Sequence, residues 1–398
     1  MSSTTTTPAP AATAAAPAPQ ITILTPAMLA AMLKISAKIS DLFFSPGKPP
    51  MVEVNGRLTP AGKRNLTPAD TQKIAADLIG ENSHALEKLR SQGSCDVSYS
   101  LPGSARFRVN VFMQRGTCAI VMRVIPATVM GFDALHLPDE LRQVANLRNG
   151  IVLVTGPTGS GKSSTLAAII DLINQSQSYH ILTIEDPIEF LHPHKSCIVH
   201  QRELHSDTPS FALALRAALR QAPKAILVGE MRDKETIEIA MEAAETGHLV
   251  LSTLHTIDAS KTVERIVGVF PPNEQHTIRN RLAKSFQYIV SQRLLPRKDG
   301  NGRVAAIEIL KATLRTREYV ERGEGEGKTL LDAMRVGDQE GMQHFDREIE
   351  KLIRSEVVSL DVGLAYSTNP GNLRLELADF APVEAEPAKA SATELEIE

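Results

Sequence analysis

Residues Gly156 to Ser163 read GPTGSGKS and match the spacing G-x-x-x-x-G-K-[ST] in full. That pattern has a specific chemistry. Glycines let backbone N–H groups turn inward around phosphate oxygens, and a helix beginning at the loop adds a favourable field for the anion. Gly156, Pro157, Thr158, Gly159, Ser160 and Gly161 would form the cradle, with Ser164 following on the first helical turn. Lys162 would place a cation on the outer phosphates, and Ser163 would offer its hydroxyl to a magnesium ion. The apolar run GIVLVTG before the loop and KSSTLAAIIDLINQ after it supply the strand and helix that the motif requires. A chance glycine-rich turn explains this context poorly.

Cleaving a bound triphosphate needs more than a cradle. It needs a carboxylate to orient or deprotonate water, a metal holder and a sensor of the terminal phosphate. Three further apolar runs carry candidates. TIEDPIEF supplies Glu185, Asp186 and Glu189; AILVGEMRD supplies Glu230; HLVLSTLHT supplies Ser252, Thr253 and His255, with His248 at its start. In a parallel sheet the ligand lies beyond the carboxyl ends of the strands, so Glu189, Glu230 and His255 are expected beside the loop. His248 falls at the opposite end of its strand. Each acid alone reads as a solvated surface charge, and a histidine in a strand is more often structural than catalytic. Three strand tips converging on one loop favour a site. The two histidines lack the rest of a zinc ligand set.

The elements that must position these residues alternate between strand and helix from GIVLVTG to HLVLSTLHT. That alternation implies a mostly parallel sheet covered on both faces. The helix TPSFALALRAALRQ is expected to be capped by Thr208, and PDELRQVANLRNG to form a helix leading into this domain. After Phe270 the chain reads as mostly helical. An earlier segment opens with a helix whose expected cap is Thr25, with Pro26 in its first turn. PPMVEVNGRLTP then alternates around an Asn55-Gly56 turn, a hairpin signal, and ARFRVNVFMQRGTCAIVMRVIP reads as two strands around Gln114 to Gly116. The expected organisation is an arm of Thr, Pro and Ala over 1–20, a small α+β domain over 21–137, the α/β domain with C-terminal helices over 138–380, and an acidic tail over 381–398.

Composition narrows the function classes. Of 398 residues, 43 are basic and 46 acidic, so no whole-chain attraction to nucleic acid or anionic lipid is indicated. Three cysteines, Cys95, Cys118 and Cys197, form no CxxC pair, which argues against a disulfide scaffold or structural zinc and fits a reducing compartment. No apolar run reaches the roughly 18 residues of a spanning helix. The N-terminus lacks the basic start and apolar core of a secretory signal.

The runs GPTGSGKSSTLAAII, ILTIEDPIEF, AILVGEMRD and GHLVLSTLHT, in this order, resemble the secretion ATPases that drive type II secretion and type IV pili. SDLFFSPGKPPMVEVNGRL, RFRVNVF, VERIVGVFP and GMQHFD extend the resemblance over nearly all of the body. It implies a RecA-like P-loop NTPase core, a smaller N-terminal PAS-like α+β domain and a helical C-terminal part. It makes Glu189 the catalytic glutamate and Glu230 a magnesium ligand acting partly through water, while the residues alone leave open which of the two activates water. It places His248 and His255 in a histidine box, and it implies that Arg108, Arg123 and Arg115 reach nucleotide at a domain or subunit junction. It further implies ATP and Mg2+ as cofactors, a homohexamer, an inner-membrane pilus platform protein as partner, and a soluble chain docked at the cytoplasmic face of the inner membrane. No CxxC module follows the histidine box and only about 20 residues precede the first domain. Both features resemble the retraction branch, the PilT/PilU-like ATPases. GMQHFDREIEKLI and NPGNLRLEL look more like PilU, and TLRTREYVERGE departs from the helix found at that place in PilT. An accessory ring that modulates a paralogous motor is therefore the alternative. A nucleic-acid translocase ranks below both, because aromatic residues make up only 4% of the chain and tryptophan is absent.

Overall fold

The computed structural model describes residues 24–126 and 128–379. The expected arms over 1–20 and 381–398 lie outside the described residues. Two compact units follow one another, divided between Val124 and Ile125. The sequence reading put the domain boundary after residue 137. The division falls earlier because Phe132 and Leu137 are buried in a core cluster with Val152, Val154 and Ile169.

The first unit is built on a sheet of β1 (Ile39–Phe44), β2 (Met51–Val54), β3 (Arg57–Pro60), β4 (Ser94–Leu101), β5 (Ala105–Gln114) and β6 (Thr117–Ile125), in the order β3-β2-β1-β6-β5-β4. Asn55 and Gly56 take φ of 52° and 76°, and Arg115 and Gly116 take 49° and 74°. Such paired left-handed residues match the twist of a two-residue hairpin. One face of the sheet buries Leu42, Phe44, Phe107, Val109 and Met122 against the helices Thr25–Leu33 and Pro68–Ile79. Thr25 is not the cap of its helix. Leu24 holds that position without a side-chain bond, while Thr25 is fully buried and donates its hydroxyl to Asp77 Oδ2 at 2.6 Å. Thr25→Val keeps the shape and removes that donor, so it should cost about 1 kcal/mol in chemical denaturation. An unchanged midpoint would contradict the assignment.

The second unit holds β7 (Gly150–Thr155), β8 (His180–Glu185), β9 (Ile198–Glu203), β10 (Ala225–Val228), β11 (Leu249–Leu254), β12 (Phe286–Pro296) and β13 (Arg303–Lys311), ordered β13-β12-β7-β11-β10-β8-β9. Every pairing is parallel except β12 with β13. Alternate residues of the strands feed two different cores. Ile151, Leu153, Leu182, Ile226 and Val250 pack with the helices Phe211–Ala218, Lys234–Glu245 and Ala259–Gly268. Val152, Val154, Ile181, Leu227 and Leu251 pack with the helix Lys162–Ser176. This two-sided burial is why the strands read as unbroken apolar runs.

Several expectations change here. The stretch after Phe270 is mostly helical, but it also contains β12 and β13, two strands that the sequence pattern does not show. Ser291 and Gln292 break the apolar run of β12, yet both are buried and hydrogen-bonded. Ser210, not Thr208, caps the helix at Phe211 by accepting from the Leu213 N–H. Asp139–Asn146 is a 3₁₀ helix. The helices Phe345–Arg354, Leu360–Tyr366 and Pro370–Glu376 close over Leu295, Val304 and Ala306.

Candidate functional site

The register of the parallel sheet decides which strand tips meet. Thr155, the last residue of β7, lies opposite Leu254 of β11, and Val228 of β10 lies between Ser252 and Ile184. The chain therefore leaves four adjacent strands at Gly156, His255, Gly229-Glu230 and Glu185-Asp186, all on the carboxyl edge.

The loop Gly156–Gly161 runs into the helix Lys162–Ser176. Gly156, Gly159 and Gly161 have φ of 145°, 78° and 90°, values that favour glycine. A Cβ on Gly161 would also sit 2.8 Å from Gln292 Nε2 of β12. Gln292 in turn accepts from Thr165 Oγ1 at 2.8 Å, so β12 supports the loop from below. Lys162 is buried and donates to the carbonyls of Gly156 at 3.0 Å and Pro157 at 2.9 Å. Burial lowers its pKa, and the nearby Glu230 charge opposes that shift. Gly161 provides no side-chain cap to the first turn, and Ser160 Oγ is buried without a hydrogen-bond partner. Unclaimed donors around a lysine suit a phosphate chain.

Glu230 follows β10 through a pinned turn. Ser252 Oγ donates to Val228 O at 2.7 Å, and Thr253 Oγ1 donates to Gly229 O at 2.6 Å. The two hydroxyls thus hold the acid-bearing turn. Arg232 Nε lies 2.6 Å from Glu230 Oε2. His255 Nε2 lies 3.8 Å from the same oxygen. Desolvation first, then the Lys162 charge, lower the His255 pKa, with Glu230 opposing. At neutral pH the ring is therefore neutral, and its contact with Glu230 is dipolar rather than an ion pair. Among the described residues no group of three or more His, Cys, Asp or Glu could hold a metal by itself. The residues present fit a magnesium ion shared with nucleotide phosphates, with the Ser163 hydroxyl and the Glu230 carboxylate as protein ligands.

Glu189 stands on the loop after β8. It lines a cleft of about 620 Å³ with Gly159, Gly161, Ser163, Ser164 and Arg303. Its backbone N–H reaches Glu185 Oε2 at 3.4 Å. Glu185 is buried and also accepts from Thr183 Oγ1 at 2.6 Å and Gln201 Nε2 at 3.1 Å. Burial raises its pKa against these bonds. Glu203 of β9 accepts from the Ile188 N–H at 3.0 Å. Of the acids in TIEDPIEF, Glu185 is therefore an internal anchor, and Glu189 is the acid presented to the cleft. Arg232, Gln292, Arg303 and Glu203 were not singled out from sequence. Arg232 sits inside AILVGEMRD, two residues from Glu230; the others come from strands whose role only the fold reveals.

His248 precedes β11 at its amino end, six residues before Leu254, hence roughly 20 Å from the loop along the strand. Its Nδ1 lies 2.9 Å from Ala243 O, a bond that fixes the turn after the helix Lys234–Glu245. The structure therefore does not bring His248 to the phosphate loop. Arg108, Arg115 and Arg123 belong to the first unit. Arg108 and Arg123 project from the sheet face opposite to Phe107 and Met122. Arg123 Nε pairs with Asp41 Oδ1 at 3.0 Å, and Arg115 sits in the β5–β6 turn. His255→Ala should lower ATP turnover on the order of ten-fold or more by removing a neutral donor at the strand tip. His248→Ala should instead cost about 1 kcal/mol of stability. Equal loss of turnover in both variants would contradict this separation.

A parallel sheet, a phosphate loop between β7 and its helix, and acids on the neighbouring strand tips define a P-loop NTPase with a RecA-like core. The sequence model of the type II/IV secretion system protein family matches residues 35–368, and the chain belongs to that family. It is 44% identical over 349 residues to the type IV pilus retraction ATPase PilT of Pseudomonas aeruginosa, covering 86% of this chain and 99% of that one. Identity to the type IV pilus ATPase PilU of the same organism is 38% over 336 residues, covering 84% and 87%. The crystal structure of the pilus retraction motor PilT with bound ADP matches at a TM-score of 0.77 and 43% identity, covering 88% of this chain and 99% of that one. Identity is higher to this PilT than to this PilU, so the C-terminal stretches that look like PilU do not decide the branch.

Proposed function

We propose that the chain is an ATPase motor that powers type IV pilus retraction and so twitching motility. The observation that carries this reading is the gathering of Glu230 and His255, at adjacent strand tips, around Lys162 at the start of the helix after the loop, with Glu189 lining the cleft beside Ser163. It is joined to a relative, PilT, that this chain matches along nearly its whole length. Gly156 to Ser164 cradle the phosphates of ATP, and Lys162 neutralises the outer ones. Glu189 orients and deprotonates the attacking water, because it lines the cleft beside Ser163 and the phosphate loop. Glu230 and Ser163 hold magnesium, which when bound neutralises charge on the outer phosphates. His255 meets the terminal phosphate as a neutral donor. Arg108, Arg115 and Arg123 reach the nucleotide of a neighbouring subunit in a homohexamer, since a head-to-tail interface can close into a ring.

In this reading the ring works on an inner-membrane platform protein at the pilus base, from the cytoplasmic face. A paralogous retraction ATPase is a further partner. Among the described residues no helix is long and apolar enough to cross a membrane. The test is deletion with plasmid rescue by wild type or Glu189→Gln, scored for twitching and surface pili. Abundant non-retracting pili in the null and Gln strains support the reading. Bald cells overturn it in favour of an assembly role.

A further inference from the structure

Beneath the strand tips lies a closed circuit of buried hydrogen bonds that the reading above does not use. Thr155 is the residue directly before the phosphate loop, and its hydroxyl donates to Ser291 Oγ of β12 at 3.1 Å. Ser291 lies opposite Glu308 of β13 and bonds its carboxylate. Glu308 Oε1 accepts from the Ala259 N–H at 2.9 Å, at the first residue of the helix Ala259–Gly268. Inside that first turn Thr262 Oγ1 donates to Asp258 O at 2.7 Å and approaches Thr155 Oγ1 at 3.5 Å, closing the circuit. Thr256, the residue directly after His255, shares a hydrogen bond of 2.6 Å with Thr262. Thr155, Ser291 and Thr262 are fully buried, and Glu308 is 3% exposed.

A carboxylate is a costly group to bury, and here a backbone N–H at a helix start compensates it. The circuit joins the two segments whose relative placement the chemistry needs, the phosphate loop after Thr155 and the loop carrying His255. We propose that Glu308 is a positioning residue: its carboxylate clamps the start of the helix Ala259–Gly268 and thereby fixes His255 against the phosphate loop. This deepens the ATPase reading and rests on it for the kinetic consequence, but the clamp itself is a property of the fold.

The charges that face Glu308 are few. Asp258 lies on the loop before the helix and Arg293 on β12, and Asp346 lies beside Arg293 from the helix Phe345–Arg354. Burial pushes the Glu308 carboxyl up to about 7, Asp258 adds to the shift, and Ala259, Arg293 and Ser291 oppose it. The ionised form is the better clamp, so wild-type kcat should fall as pH drops through about 7. Stability runs the other way. The unfolded carboxyl ionises near its ordinary value and the folded one later, so folding stability declines as pH rises between them and levels off above about 7.

The experiment compares wild type, Glu308→Gln and Glu308→Ala. Glu308→Gln keeps the shape, so at pH 8 it should melt no lower than wild type. Its kcat should nevertheless be about ten-fold lower, with KM changed less, and without the acid limb near neutrality. Hydrogen–deuterium exchange, which needs no turnover, should show amides 255–262 of Glu308→Ala exchanging about ten-fold faster or more. Faster exchange in a chain that hydrolyses no ATP would leave the clamp standing and sink the proposed activity. Unchanged exchange over 255–262 overturns the clamp whatever the kinetics show. A Glu308→Gln pH profile that keeps the wild-type limb overturns it as well.

Discussion

Lys162→Ala should reduce steady-state phosphate release from Mg-ATP by about a thousand-fold, to the limit of detection. The lysine is buried beneath the loop, with its ammonium 2.9–3.0 Å from two loop carbonyls. Two other cations near the loop are placed differently. Arg232 is committed to Glu230, and Arg303 reaches the loop only through Gly159 O at 3.5 Å. Burial already works against the ammonium, as its lowered pKa records. Removing it therefore should not unfold the unit, and the variant should melt within a few degrees of wild type. Loss of turnover with an intact melt marks the lysine as a phosphate ligand. A collapsed melting transition would mark it as a structural prop, and retained turnover would remove the phosphate site altogether.

Glu189→Gln should lower kcat about a hundred- to ten-thousand-fold while leaving ATP binding nearly intact. The substitution keeps the backbone N–H that reaches Glu185, so the loop geometry survives. Glu230→Gln should act differently. It weakens the ion pair with Arg232 and the contact with His255 and Lys162, and in the proposed role of Glu230 it removes a charge from the magnesium shell. Its signature is a higher magnesium concentration for half-maximal rate, alongside a fall in kcat. The two acids are told apart by titrating magnesium in each variant. A shifted magnesium requirement in Glu189→Gln and none in Glu230→Gln would exchange their roles.

Much of the candidate site was legible because its signals are local. The glycine spacing of the loop, the strand before it and the helix after it are neighbours in sequence, and one parallel register then aligns Glu185, Glu230 and His255 with it. What escaped depends on distant pairing. β12 carries Gln287, Ser291, Gln292 and Arg293, which interrupt any apolar pattern. Ser291 and Gln292 are tolerated because Thr155, Thr165 and Glu308 satisfy them, while Gln287 and Arg293 donate to the carbonyls of Asn149 and Tyr366, and only the fold supplies these partners. β9 was hidden by HPHKSCIVHQRE, where Ile198 and Val199 are followed by four consecutive polar residues along an edge strand. Thr25 and Thr208 carry the right chemistry for caps, but each hydroxyl is used elsewhere, on Asp77 and on Ser210 O. Glu185 and Glu189 look alike in TIEDPIEF, and burial alone separates anchor from candidate base.

The measurement that bears most directly on a shared triphosphate site driving protomers is phosphate release by the purified chain as a function of its own concentration, with and without magnesium. Turnover that requires magnesium, with a per-subunit rate that climbs as the chain assembles and then levels off, is the predicted result. A chain that releases no phosphate from ATP at any concentration would contradict it.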